Sequence, residues 1–222
     1  PSRINNTSLV DLLLSELDEP ERSLINSSSL STCLPQMREK MFDYISLIDH
    51  IDPKLLDGIE SWLYFNVSER YDETYKYEIF AVMCLMFIRL CPNIEILDMS
   101  SGLLTKPLFD KILTCNMVKR LNIYNTATDF KDITEIIIKN KTIISLNIGS
   151  NHFTLKEVKS IINSLSSNIV LQEIDLGYNV IGSKGLKTIS EMLRNNTMLT
   201  SLGLESIADH SNRFNVESLK EF

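Results

Sequence analysis

No Cys-x-x-Cys pair, no His-x-x-x-His spacing and no apolar run long enough to cross a bilayer occurs in this 222-residue sequence. Each absence removes a class of function. The four cysteines, Cys33, Cys84, Cys91 and Cys115, are scattered. A chain of this length can bury enough apolar surface to fold without disulfide staples, so they read as reduced core thiols. His50, His152 and His210 lie far apart, and no Cys/His cluster offers metal ligands, so neither metal nor other cofactor is expected. The longest uninterrupted apolar run is Ile79 to Ile88, about half of the roughly 20 residues a spanning helix needs. It reads as a buried helix, and no membrane insertion is expected. No basic stretch followed by an apolar core opens the chain, so no signal peptide is expected and a cytoplasmic location is the reading. Alanine occurs three times whereas isoleucine and asparagine abound, a bias of AT-rich genomes.

An excess of positive charge is also lacking. The net charge is −7; residues 1–92 carry 8 Lys and Arg against 15 Asp and Glu, and residues 93–222 carry 14 against 14. Nucleic acid is excluded as a partner, because binding phosphates needs a clustered cationic surface. The segment GYNVIGSK, Gly177 to Lys184, approaches a phosphate loop but has Ser and Lys in the wrong order, so the lysine cannot follow the second glycine onto a phosphate. No G-x-S-x-G nucleophile elbow is present either. No enzyme is expected.

What is present is repetition. A frame of apolar-x-x-apolar-x-apolar occurs five times: IEILDMSSG from Ile94, VKRLNIYNT from Val118, IISLNIGSN from Ile143, LQEIDLGYN from Leu171 and LTSLGLESI from Leu199. The starts are 24, 25, 28 and 28 residues apart, a period typical of stacked-repeat architectures. Alternation over the last three apolar places predicts a half-buried strand, and helical spacing follows it. In the third copy the helix carries Val158, Ile161 and Leu165; in the fourth, Leu186, Ile189 and Leu193; in the second, Ile133 and Ile136. One unit is therefore strand, loop and amphipathic helix. It cannot bury its apolar face alone, and stacking supplies the core.

These residues resemble the leucine-rich repeat family, and the 28-residue copies look like its ribonuclease-inhibitor-like class. The resemblance covers about residues 91–222, and CPNIEILDMS, Cys91 to Ser100, is similar to the opening of repeats in F-box leucine-rich proteins. It implies an α/β solenoid with parallel strands inside and helices outside. It also implies that Asn151 and Asn179 match the family's asparagine, whose amide would satisfy backbone groups in the turn after each strand. Gly102, Thr126 and Ile207 replace it elsewhere. Some members of the class act as GTPase-activating proteins; Arg120 would be the candidate residue for that role here.

Residues 1–90 carry no repeat and read as an all-helical cap on the solenoid's N-terminal end, with one continuous core. The predicted helices are TSLVDLLLSELDEPE ending before Pro20, a second from Leu34 to Ile51, a third started by Asp52 and Pro53, and a fourth reaching Leu90; Ile25 to Thr32 is a polar loop. Leu34-Pro35, Met41-Phe42, Tyr44-Ile45 and Trp62 faintly resemble an F-box, which would make the chain a substrate adaptor of a ubiquitin ligase. At the other end the sequence stops at NVESLKEF, inside what the period makes the fifth helix.

Strand geometry sends alternate side chains to opposite faces. With the frame residues turned inward, the concave surface displays Asp98, Asn122, Asn147, Asp175 and Gly203 in one column and Arg120 and Glu173 in the preceding one. Tyr124, Tyr178 and Glu205 follow the strands. Tyrosine offers rigid contact area with a polar tip. Tyr124, Tyr178, Arg120, Asn122, Asn147, Glu173, Asp175 and Glu205 are the candidate partner-binding residues. The acidity of Glu173, Asp175 and Glu205 predicts a protein partner with a basic patch. The expected molecule is a monomeric protein-interaction module. The genome bias, repeat type and adaptor-like helix fit a translocated bacterial effector in a host cytosol, and a protist protein equally.

Overall fold

The computed structural model describes residues 6–25, 28–37, 45–67, 72–181, 189–191, 193–194, 196–205 and 213–215. The chain opens with α1 (Asn6–Ser15), α2 (Glu19–Arg22) and α3 (Ser28–Cys33), then β1 (His50–Ile51), α4 (Lys54–Asn66) and α5 (Tyr75–Leu90). Strand and helix then alternate through β2 (Ile96–Asp98), α6 (Lys106–Thr114), β3 (Arg120–Asn122), α7 (Phe130–Lys139), β4 (Ser145–Asn147), α8 (Leu155–Ser164), β5 (Glu173–Asp175) and β6 (Ser201–Gly203). Finally β7 (Arg213–Asn215) returns along the sheet. The strands lie in sequence order; β1 to β6 pair parallel and β7 pairs antiparallel to β6.

The frame sets the register. Leu97, Leu121, Leu146, Ile174 and Leu202 stand side by side in the ladder, and all are buried. Ile94, Val118, Ile143, Leu171 and Leu199 form a second buried column, and Met99, Ile123, Ile148 and Leu176 a third. The helices answer with Ile133 and Ile136 on α7, then Val158 and Ile161 on α8 with Leu165 just beyond it, all buried. Ile189 and Leu193 are buried as well, while Leu186, Gly182 and Gly185 lie outside the described residues. The result is a sheet covered on one face and open on the other, with a core cluster continuous from Val10 to Leu202.

The first ninety residues differ from the all-helical expectation. His50 and Ile51 form an edge strand, with Ile51 opposite Leu97 and Glu95 and Ile96 donating their amides to Asp49. A proline disfavours helical conformation in the residue before it, so a helix could not run through Asp52 into Pro53, and pairing with β2 claims the segment instead. Register shows why the strand sits there: Ile48 and Ile51 occupy the first two apolar places of the frame, and Pro53 takes the third. Residues 38–44 of the expected second helix are outside the described set, Leu34 to Gln36 are not helical, and Ile45–Leu47 is a single 3₁₀ turn. The expected loop at Ile25 to Thr32 also gives way, because α3 buries Leu30 completely.

α1 ends before Pro20, as expected, and Pro20 itself stands inside the first turn of a further helix, α2, where Asp18 and Glu21 form a reciprocal capping box. The third expected helix begins one residue later than foreseen, at Lys54, whose amide is taken by the Asp52 carboxylate at 2.6 Å. α5 is buried from Ile79 to Ile88 apart from half-buried Leu85, and burial pushes the Cys84 thiol far above its ordinary range. Cys91 and Cys115 are buried too, and Cys33 is half-buried. Trp62 is fully buried and donates its indole N–H to Asp11 at 2.6 Å, so it ties α4 to α1. Met41, Phe42 and Tyr44 lie outside the described residues. At the end of the chain Asn215 closes β7, and 216–222 lie outside the described residues.

Candidate functional site

Two ladders of asparagine fix the ends of the strands and so determine what the open face displays. After the strands, Asn151 donates to the carbonyls of Ile123, Ile148 and Gly149, while its own oxygen accepts the amides of Thr126 and Thr128. Asn179 repeats this one unit on, donating to Ile148 and Leu176 and accepting from Asn151 and Phe153. Each amide thus serves its own unit and the one before. Thr126, which stands at the same place in the second copy, donates its hydroxyl to its own Ile123 carbonyl and to the Asn151 oxygen of the next unit and lies against the Thr128 hydroxyl, but it reaches no carbonyl of the unit before.

The second ladder lies before the strands and was not foreseen. Asn140 donates to Ile112 and Cys115 of the preceding unit and accepts from Thr142 and Ile143. Asn168 donates to Ile137 and accepts from Val170 and Leu171, and Asn196 accepts from Met198 and Leu199. Cys91 and Cys115 occupy this place in the first two copies, and the Cys91 thiol donates to Ile45 at 3.0 Å. The signal was in the sequence as Asn three residues ahead of each of the last three frames.

Between these ladders the backbone makes the same turn four times. Ser101, Asn125, Ser150 and Tyr178 all have φ between 55° and 59°. Each donates its amide to the next unit: to Tyr124, Gly149, Gly177 and Glu205 respectively. Just ahead of the turn, the carboxylate or amide oxygen of Asp98, Asn122, Asn147 and Asp175 accepts the amide two residues on. Asn122 and Asn147 are therefore partly engaged in shaping the loop, and Asn122 also donates to Asp98 at 3.0 Å.

Tyr124 and Tyr178 meet. They belong to units two apart, yet Tyr178 sits one residue later in its copy, and the left-handed turn swings its ring back. The centroids are 6.3 Å apart with planes at 87°, an edge-to-face pair. The intervening unit has Gly149 where the rings pass; a Cβ there would lie 2.9 Å from the Tyr124 ring. Both rings are half-buried and outside the core. A tyrosine in the left-handed region is unusual and costs on the order of 1–2 kcal/mol, which the pair's own contact offsets only partly.

The acidic candidates lie on or just after the strands of the last two units, β5 and β6. Glu173 is exposed on β5 and accepts from the Ser145 hydroxyl at 2.9 Å. Asp175 is next on the same face, and its carboxylate fills the space above Gly203, where a Cβ would come within 2.5 Å of it. Glu205 follows β6, its Cβ lying 3.4 Å from the place where one on Gly177 would stand. Arg120 is exposed on β3, two strands from Glu173 and separated from it by Ser145. Asn147 joins Glu173, Asp175 and Ser201 around a groove of only about 50 Å³. A larger apolar cavity, about 380 Å³, lies away from this face, among Leu9, Leu13, Ile48, Ile51, Leu55 and Phe87. On the helical side Lys156 and Arg194 are exposed, and Lys184 and Lys187 lie outside the described residues. No described helix is long and apolar enough to cross a membrane.

Residues 167–190, spanning β5, match the family model described as leucine-rich repeat. Among solved structures, this chain is similar to leiomodin-1 actin-binding site 2, with 26% identity and a TM-score of 0.44 over 56% of this chain and 72% of that one. No curated protein matches it.

Proposed function

We propose that the chain is a non-catalytic protein-interaction module, and that its partner, a protein with a basic patch, docks on the open face of the sheet. In this reading residues 91–222 are a leucine-rich-repeat solenoid with its strands on the concave side. Residues 1–90 close its N-terminal end, and the module works as a cytoplasmic monomer. The observation that carries the proposal is the Tyr124–Tyr178 pair, held on the uncovered face by a strained turn and a glycine. Rigid aromatic surface of this kind loses little entropy on docking. Glu173, Asp175 and Glu205, on and after β5 and β6, supply the negative potential that would steer a basic surface. A groove of about 50 Å³ is too small for a substrate, since ligand sites run to about 300 Å³ or more.

The test begins with a partner captured from cell lysate on the immobilised chain, purified and titrated calorimetrically. Tyr124→Ala and Tyr178→Asn should each weaken binding by about 1–3 kcal/mol. For Tyr178→Asn, relief of about 1 kcal/mol of backbone strain and loss of about 0.5–1.5 kcal/mol of ring contact nearly cancel, so its thermal midpoint should stay within a few degrees of the parent's. Glu173→Lys should slow association and remove part of its salt dependence. Loss of binding in Lys156→Glu, on the helical side, with both tyrosine variants binding like the parent, would place the partner on the helices and sink the proposal.

A further inference from the structure

α4 turns Gly58, Ile59, Trp62 and Leu63 into the core and leaves an outer stripe of Asp57, Glu60, Ser61, Tyr64 and Phe65. The spacing, i, i+3, i+4, i+7 and i+8, keeps all five on one side of the helix. Tyr64 and Phe65 are each 72% exposed, and their rings lie edge-to-face at 5.2 Å. Neither ring belongs to the core cluster. Two adjacent bare aromatic rings form a continuous apolar patch, whereas Ile169 and Val180 are single exposed side chains of the ordinary kind. The stripe borders an open groove of about 510 Å³.

We propose that this face of α4 is a second docking surface, and that it receives a basic amphipathic segment of a protein. Apolar side chains of that segment cover the Tyr64 and Phe65 rings, and its lysines or arginines reach Asp57 and Glu60. Charge complementarity selects this occupant. The first 92 residues carry 15 acidic against 8 basic side chains. Next to the stripe, Lys76 already makes such a contact in small, 3.2 Å from Glu60 and 5.3 Å from the Tyr77 ring centroid. A second copy docked face to face would set Asp57 and Glu60 against themselves. An anionic lipid surface would repel the same carboxylates. The surface is on the helical part and shares no residue with the Tyr124–Tyr178 face, so each can be lost without the other.

The probe is a synthetic amphipathic helix of Leu and Lys, titrated into the full chain, with a Leu and Glu helix of the same pattern as control. The Leu/Lys helix should bind and the Leu/Glu helix should not. Tyr64→Ser with Phe65→Ser should weaken binding about tenfold or more, and Asp57→Asn with Glu60→Gln should weaken it several-fold and flatten its dependence on salt. Thermal midpoints close to the parent's show that the variants fold. Tyr124→Ala should leave this binding unchanged, which separates the surface from the one on the sheet. Equal binding by parent and both double variants overturns the proposal. So does sedimentation showing a dimer that only the aromatic variant dissolves, or adsorption to phosphatidylserine vesicles that the same variant abolishes.

Discussion

The units from β2 to β6 and the helices before them share one sheet and one core, but they are held together differently. In the repeats, Asn151 and Asn179 each bond their own unit and its neighbour, so stability is built into side chains that recur with the period. In the first ninety residues the joints are unique: Trp62 to Asp11, and Arg89 to Glu21. A recurring joint leaves the open face free to vary, which is why Tyr124, Gly149 and Gly177 can stand at one place in successive units. A unique joint fixes its residues and leaves only the outer sides of the helices to vary.

The largest effects should come from the core of each region. Trp62→Ala and Leu176→Ala remove fully buried side chains, at a cost of about 3–5 and 2–5 kcal/mol respectively. Both should lower a single unfolding transition in chemical denaturation. Two separated transitions in Trp62→Ala would break the picture of one core. Next comes the recurring joint: Asn151→Ala leaves at least two buried backbone groups unmet, about 1–3 kcal/mol each, whereas Thr126→Ala should cost about 1 kcal/mol. Equal losses in the two variants, measured by denaturant midpoints, would remove the distinction between an amide that serves carbonyls of two units and a hydroxyl that serves one carbonyl and the amide itself.

The unique joint at Arg89 should matter less. Its guanidinium, a third exposed, contacts Glu21 at 2.6 and 2.8 Å and Asp18 at 3.2 Å, and the hydrogen bonds to Glu21 hold it more firmly protonated than usual. Arg89→Ala should cost about 1–2 kcal/mol, discounted for its exposure, with faster hydrogen exchange confined to α1 and α2.

Smallest is an acid effect at α8. The Thr154 backbone and side chain hold the Glu157 carboxyl below its ordinary value. Its contribution is therefore complete above the unfolded carboxylate range and is lost as pH falls through the lower folded value. Exchange at the first turn of α8 should rise in that acidic window in the parent, and in Glu157→Gln it should not change there.

What the sequence disclosed follows the same division. Five frames gave the register of β2 to β6 residue by residue, because a buried column allows no slip. The strand at His50 was hidden because its third apolar place is Pro53 and its distance from the next frame is 46 residues rather than a period. The helix at Ser28 was hidden because Leu30, fully buried, acts through tertiary contact that no local pattern encodes. On the open face, which residues point outward was readable from alternation. The contact of Tyr124 with Tyr178 was not, since it depends on a left-handed turn and on the missing side chain of Gly149.

The claim that the repeats exist to present this face is tested most directly by cross-linking at single sites. A photoreactive phenylalanine analogue at position 178, and in a second sample at position 156 on α8, would be illuminated with the captured partner bound. The account predicts a covalent adduct from position 178 and none from position 156. An adduct from 156 alone would contradict it.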